Sequence, residues 1–184
     1  MATDLHQSWG LAWQMTKRNL RAKYRRSLLG AIWAFSPPLI STLIWYFLRA
    51  AGYVEVGETV APYLLYVLAG TILWQSFLES IYSPITHLAA SKGTITKLNF
   101  PRESIILSGV YEVFFNFGVR SVLLLIGFAL VNTVPPWTIA VVPLGLLVIV
   151  VLGTTLGLLL VPLGLLYEDV REGLMLATTF WFFL

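Results

Sequence analysis

The side chains best suited to chemistry lie inside an oily run. The stretch YEVFFNFGVRS, residues 111–121, sets Glu112, Asn116 and Arg120 at intervals of four, so all three share one face of a helix. An acid, an amide and a guanidinium on one face either line a polar path or pair with a neighbouring helix, and the spacing fits both. Arg120 falls about 15 residues into the apolar run 105–131, near mid-membrane, where a charge costs at least ~2.5 kcal/mol unless it faces a partner or water. Glu112 is two turns away, linked through Asn116 or set at the membrane edge. Glu79, read as near the inner end of the preceding span, is the candidate partner for Arg120 unless it is interfacial.

Other constellations exclude more than they assign. There is no cysteine, which removes disulfides, thiolate metal sites and cysteine nucleophiles. His6 and His87 are far apart and have no acidic pairs beside them in sequence, so no metal site is assigned. SKGT, residues 91–94, lacks the Gly-rich phosphate cradle of a P-loop, so the chain is expected to hydrolyse no ATP and to bind no cofactor itself. Glu168, Asp169 and Glu172 form an acidic cluster beside Arg171, without the repeated aspartates that metal-dependent polyprenyl-phosphate chemistry uses. No catalytic residue is assigned.

The elements that must position these groups follow from composition. The 184 residues are 58% apolar and 11% charged, against roughly 45 to 50% and 25% in soluble domains, which marks an all-α polytopic membrane protein forming one domain. A hydrocarbon core of about 30 Å needs roughly 20 helical residues, and backbone groups in lipid must be satisfied within the helix. Four runs qualify as full spans, 28–49, 63–82, 105–131 and 137–166, and a fifth, 174–184, reads as an incomplete start. About 27 residues precede the first run, which is longer than a signal-peptide core of roughly 7 to 15 residues, so it is read as a retained span.

Cations alternate between loops. Lys17, Arg18, Arg21, Lys23, Arg25 and Arg26 precede the first span; Lys92, Lys97 and Arg102 lie between the second and third; Arg171 follows the fourth. The loops between carry Glu55 and Glu58, or no charge at all in NTVPPW, so the positive-inside rule puts the N-terminus in the cytoplasm. Arg49, at the outer end of the first span, is the exception and is expected to snorkel. Within residues 5–26, Leu5, Trp9, Trp13, Leu20 and Tyr24 fall near one helical face and Lys17, Arg18, Arg21 and Arg25 decorate the rest, the pattern of an amphipathic interface helix.

Aromatic residues recur through the spans, Trp33, Trp74, Phe77 and Tyr111 among them, and serve either as interfacial belts or as flat platforms lining a path. Gly153 and Gly157 in GTTLG form a small-xxx-small pattern that permits close helix approach.

Three segments together resemble one family. RNLRAKYRRSLLGAIWAFSPPL, residues 18–39, KGTITKLNFPRES, residues 92–104, and YEDVREGL, residues 167–174, look like successive signatures of the ABC-2-type permeases that export polysaccharides such as O-antigen, teichoic acid and capsule. Asn19 and Glu168 depart from the pattern. The resemblance implies six membrane helices in a complete member, and so further spans beyond Leu184, with this chain truncated. It implies a bacterial inner-membrane homodimer paired with a separate ATPase that holds ATP and Mg, moving a lipid-linked glycan outward. It also implies that the cytoplasmic loop 84–104 couples to that ATPase through Lys92, Lys97, Asn99, Phe100, Pro101, Arg102 and Glu103. Arg18, Arg21, Tyr24 and Arg25 would belong to the interface helix, and Trp33, Trp74, Phe77, Tyr111, Glu112, Asn116 and Arg120 would be candidate channel lining. The alternatives are an ABC-2-type exporter of a drug or other lipid, a membrane enzyme acting on polyprenyl phosphates, and a truncated permease fragment without a transport role.

Overall fold

The structure, a computed structural model, describes residues 2–25, 32–55, 57, 59, 62–95, 102–132 and 140–183. Every regular element among them is a helix: α1 (Ala2–Arg25), α2 (Ile32–Ala50), α3 (Tyr63–Ile95), α4 (Arg102–Leu130), α5 (Val142–Leu166) and α6 (Glu168–Phe183). The all-α expectation holds. Among the described residues, three helices are long and apolar enough to cross a membrane, over 63–91, 103–130 and 142–166. The run expected as the first span corresponds to α2, which is not among the three. Its 19 residues include Pro37, Pro38, Ser36, Ser41, Thr42 and Arg49, and these lower its apolarity.

The termini of these helices follow from local chemistry. After α2 the chain turns at Gly52, whose φ of +80° is a left-handed conformation that glycine adopts without a Cβ penalty. Its N–H donates to the Arg49 carbonyl, and the Tyr53 N–H donates to Leu48, both at 3.0 Å, the paired bonds of a Schellman cap. Arg49 reaches back to lie 4.3 Å over the ring of Tyr63, which gives the expected snorkelling cation an aromatic seat. Helix α4 starts at Arg102, one residue after Pro101, and carries Glu103 in its first turn, where an acid complements the helix dipole.

Helix α3 is the centre of the packing, touching α2, α4, α5 and α6. Its length corrects the expected boundaries. The loop expected over 84–104 is helical as far as Ile95 and again from Arg102, and residues 96–101 lie outside the described residues. Pro84 is fully buried inside α3, and the adjoining Ile85 packs against Gly164 of α5. Contacts across helices therefore outweigh the one backbone bond that proline removes.

The α3–α5 seam is built from glycine. A Cβ on Gly153 would lie 2.6 Å from Cβ of Ser80, one on Gly164 2.9 Å from Ile85, and one on Gly157 would strike the Ile81 carbonyl. The small-xxx-small pattern is thus used as expected. Leu146 and Val150 continue the buried stripe of α5 and cluster with Val113 of α4. The opposite face of α5, including Leu144, Leu147, Val148, Val151 and Leu159, is exposed and apolar, as a lipid-facing surface requires.

The amphipathic pattern of the N-terminal stretch leaves open which face docks on a neighbour. Helix α1 packs on α4 through a different row: Ala12 and Thr16 are buried, while Trp9 and Trp13 are more than half exposed. Thr16 donates to the carbonyl of Ser108 at 3.2 Å, and Trp13 meets Tyr111 edge-on with centroids 6.0 Å apart. Small side chains permit the close approach; the large rings are displaced to its flank. The side chains of Leu5, Tyr24 and Arg25 lie outside the described residues, and Leu20 is half-buried.

Candidate functional site

The polar row of α4 meets a polar row of α3. Gln75, Glu79, Tyr82 and Thr86 recur at intervals of 4, 3 and 4, one face of a helix, and this face turns toward α4 and α6. Glu79 forms a salt bridge with Arg120 through Nη2, and its other oxygen accepts from Nδ2 of Asn116 at 3.2 Å. The Glu79 partner named from sequence is therefore found, but at a different depth. Helix α3 runs well past residue 82, so Glu79 sits near the middle of the 63–91 span and not at its inner end. Arg120 likewise falls within roughly 5 Å of the centre of the 103–130 span at 1.5 Å per residue. A charge at that depth is tolerated because it is paired and hydrogen-bonded. The guanidinium side chain is 7% exposed and the Glu79 side chain 29%, so the carboxylate is the member of the pair that faces open space.

That space is a cavity of about 480 Å³ bounded by α2, α3, α4 and α6. Glu79, Arg120, Gln75 and Tyr82 supply its polar groups, and Trp45, Trp74 and Phe182 its aromatic walls. Trp74 is the hub of those walls: its ring lies 5.8 Å from Phe77, 6.1 Å from Trp181 and 6.0 Å from Phe182. Thr178, Thr179 and Phe182 of α6, a run read from sequence only as the start of a span, thus line one side of the cavity. Tyr82 ties α6 in place through a hydrogen bond to the hydroxyl of Thr178. Flat apolar rings beside an acid, a guanidinium, an amide and hydroxyls can hold a ligand with both ring faces and hydroxyl groups.

A second cavity of about 160 Å³ lies between α3 and α4 and shares Glu79 and Tyr82 with the first. His87 and Glu112 meet in its lining, with Nε2 3.4 Å from the carboxylate. No acid stands beside His87 in sequence; the one that meets it is 25 positions away and on another helix. Among the described residues no group of three possible ligands gathers to hold a metal ion.

Of the residues expected to line a channel, Trp74 and Arg120 border the large cavity, and Glu112 and Asn116 the small one. Phe77 supports Trp74 and packs near Gly153, while Tyr111 belongs to the α1–α4 contact. The side chains of Trp33, Lys92 and Arg102, and all of Lys97, Asn99, Phe100 and Pro101, lie outside the described residues; Glu103 is exposed. Sequence reading missed Gln75, Tyr82 and His87. The spacing of Gln75, Glu79 and Tyr82 on one face was the signal available for the first two.

No protein-family model matches the chain. Over 183 residues it is 24% identical to the O-antigen export system permease protein RfbA of Myxococcus xanthus, an alignment spanning all of this chain and 69% of that protein. It is 29% identical over 96 residues to O-antigen export system permease proteins RfbA of Klebsiella pneumoniae, over 52% of this chain and 36% of theirs. Along its length this chain is similar to O-antigen export permeases. The resemblance of the three sequence segments to ABC-2-type polysaccharide-export permeases is consistent with that similarity, and the apolar helices are those of a multi-pass membrane protein.

Proposed function

We propose that the chain is the membrane-spanning part of an ATP-driven exporter that moves a lipid-linked polysaccharide out of the cytoplasm, working as a homodimer with a separate ATPase that carries ATP and Mg. The observation that carries this reading is the similarity, along the whole chain, to a protein named as an O-antigen export permease. The large cavity supports it: three tryptophan and phenylalanine walls offer platforms for sugar rings, and Glu79, Arg120 and Gln75 offer partners for hydroxyls. In this reading the N-terminus is cytoplasmic and the segment between α3 and α4 is the surface that receives the ATPase. Lys92, Lys97 and Arg102 there suit an acidic partner, and Glu103 lies in the first turn of α4, the helix that carries the motion to Arg120.

The test uses the full-length protein with its ATPase. Trp74→Leu keeps an apolar side chain but removes the flat ring, and glycan export should fall about ten-fold or more while the protein remains in the membrane. Unchanged export would count against a sugar-stacking wall and favour an exporter of another lipid, which tolerates apolar replacement. Separately, Phe100→Ala with Arg102→Ala should uncouple ATP hydrolysis from export; normal export with normal stimulated hydrolysis would remove the coupling role.

A further inference from the structure

Helix α1 carries three neighbouring rows at i, i+4 spacing. The row Ala12–Thr16–Leu20 is turned toward α4. The next row, Trp9–Trp13–Lys17–Arg21, is exposed along its length, and the row beyond it adds exposed Gly10, Gln14, Arg18 and Ala22. Gln14, Lys17, Arg18 and Arg21 border a shallow concavity between these two rows. No acidic residue occurs between positions 9 and 22, and none of the three cations takes part in an ion pair among the described residues. The Lys17 ammonium lies beside the Trp13 ring, with Nζ 5.1 Å from its centroid.

The depth of this surface is set by its docking. The 103–130 span, 28 residues, is about 42 Å long, so a centred hydrocarbon core of about 30 Å begins roughly four residues inside its start. Ser108, which accepts the hydrogen bond from Thr16, lies at that boundary. Helix α1 is therefore held where acyl chains meet headgroups. Exposed indole rings at that depth sit in the amphipathic layer, and guanidinium groups one turn further along meet phosphate oxygens.

We propose that this face of α1 binds the phosphate headgroups of anionic phospholipids, with Trp9 and Trp13 inserted in the boundary and Lys17, Arg18 and Arg21 clasping the phosphates. The tryptophans favour a bilayer over an acidic protein surface as the occupant. The consequence is a lipid-dependent position for α1, which the Thr16–Ser108 and Trp13–Tyr111 contacts transmit to the helix that carries Glu112 and Arg120.

The test exploits the absence of cysteine. A single Gly10→Cys, where a Cβ meets nothing within 4 Å, takes a fluorophore, and a second label at exposed Val148 on α5 serves as control. The full chain is placed in nanodiscs containing brominated phosphatidylglycerol or brominated phosphatidylcholine at equal mole fraction. Quenching at position 10 should be roughly two- to five-fold greater with the anionic lipid, and the excess should fade in 1 M salt, where the screening length is about 3 Å. The triple variant Lys17→Gln, Arg18→Gln, Arg21→Gln should equalise the two lipids at position 10 and leave Val148 unchanged. A variant exchanging Lys for Arg and Arg for Lys at the same positions should retain the preference. Equal quenching in the unmodified protein, a preference that survives the triple neutralisation, or shielding of the label only when an acidic ATPase is added would each overturn the proposal.

Discussion

Helix α3 presents two seams that solve the same problem in opposite ways. Toward α5 it meets glycine, and backbones come so close that a single Cβ at Gly153, Gly157 or Gly164 would collide with Ser80, Ile81 or Ile85. Toward α4 it presents Glu79 to Arg120 and Asn116, with open cavities on either side. In lipid, exclusion of apolar surface does not drive helices together, so association rests on close contact or on polar pairing. The glycine seam uses the first and leaves no space; the charged seam uses the second and leaves room for a ligand. One seam is thus suited to holding the fold, and the other to function.

The comparison breaks most severely at Gly157. Gly157→Leu drives a side chain into the Ile81 carbonyl, which cannot yield as a side chain would, so the helices must part. Loss of monodisperse protein on size exclusion in detergent is the expected result; a stable, well-behaved variant would show that the seam is looser than described. Next comes Arg120→Leu, which strands the Glu79 carboxylate near mid-membrane and should destabilise by about 3–5 kcal/mol. Adding Glu79→Leu should recover most of that loss, because the stranded charge and not the missing pair carries the cost. Thermal unfolding of both variants measures the difference, and equal damage in single and double variants would contradict the pairing.

Smaller effects sharpen the contrast. Asn116→Leu removes one hydrogen bond to Glu79 and should lower stability by about 1 kcal/mol, in the range of polar contacts between membrane helices. Gly145→Ala lies on the same helix as Gly157, but its added Cβ meets nothing within 4 Å. It should be neutral or raise stability by less than about 1 kcal/mol through helix propensity alone. If Gly145 and Gly157 respond alike, the close approach to α3 is not what makes glycine necessary at 157.

Much of the fold is legible in the amino-acid sequence, and for identifiable reasons. The apolar runs dictate helices because lipid leaves backbone groups no other partner, and Arg120 announces a partner because an isolated charge at that depth is too costly. The i, i+4 spacing places Glu112, Asn116 and Arg120 on one face, and GTTLG marks a close approach. Boundaries are less legible. Pro84 removes one backbone bond, yet α3 continues because its flanking turns are packed on α5.

What the sequence by itself determined is the periodic part: helical class, apolar stripes, and the faces on which charges fall. Tertiary structure decided the pairings that join distant positions, His87 with Glu112, Thr16 with Ser108, and Trp74 with Trp181 and Phe182. It also decided that α1 docks by its small residues and leaves its tryptophans outward, since periodicity specifies which side chains share a face but not which face meets a neighbour. The physical reason is range. Hydropathy and helical spacing act within a few turns, whereas the depth of an ion pair or the wall of a cavity depends on which helices touch.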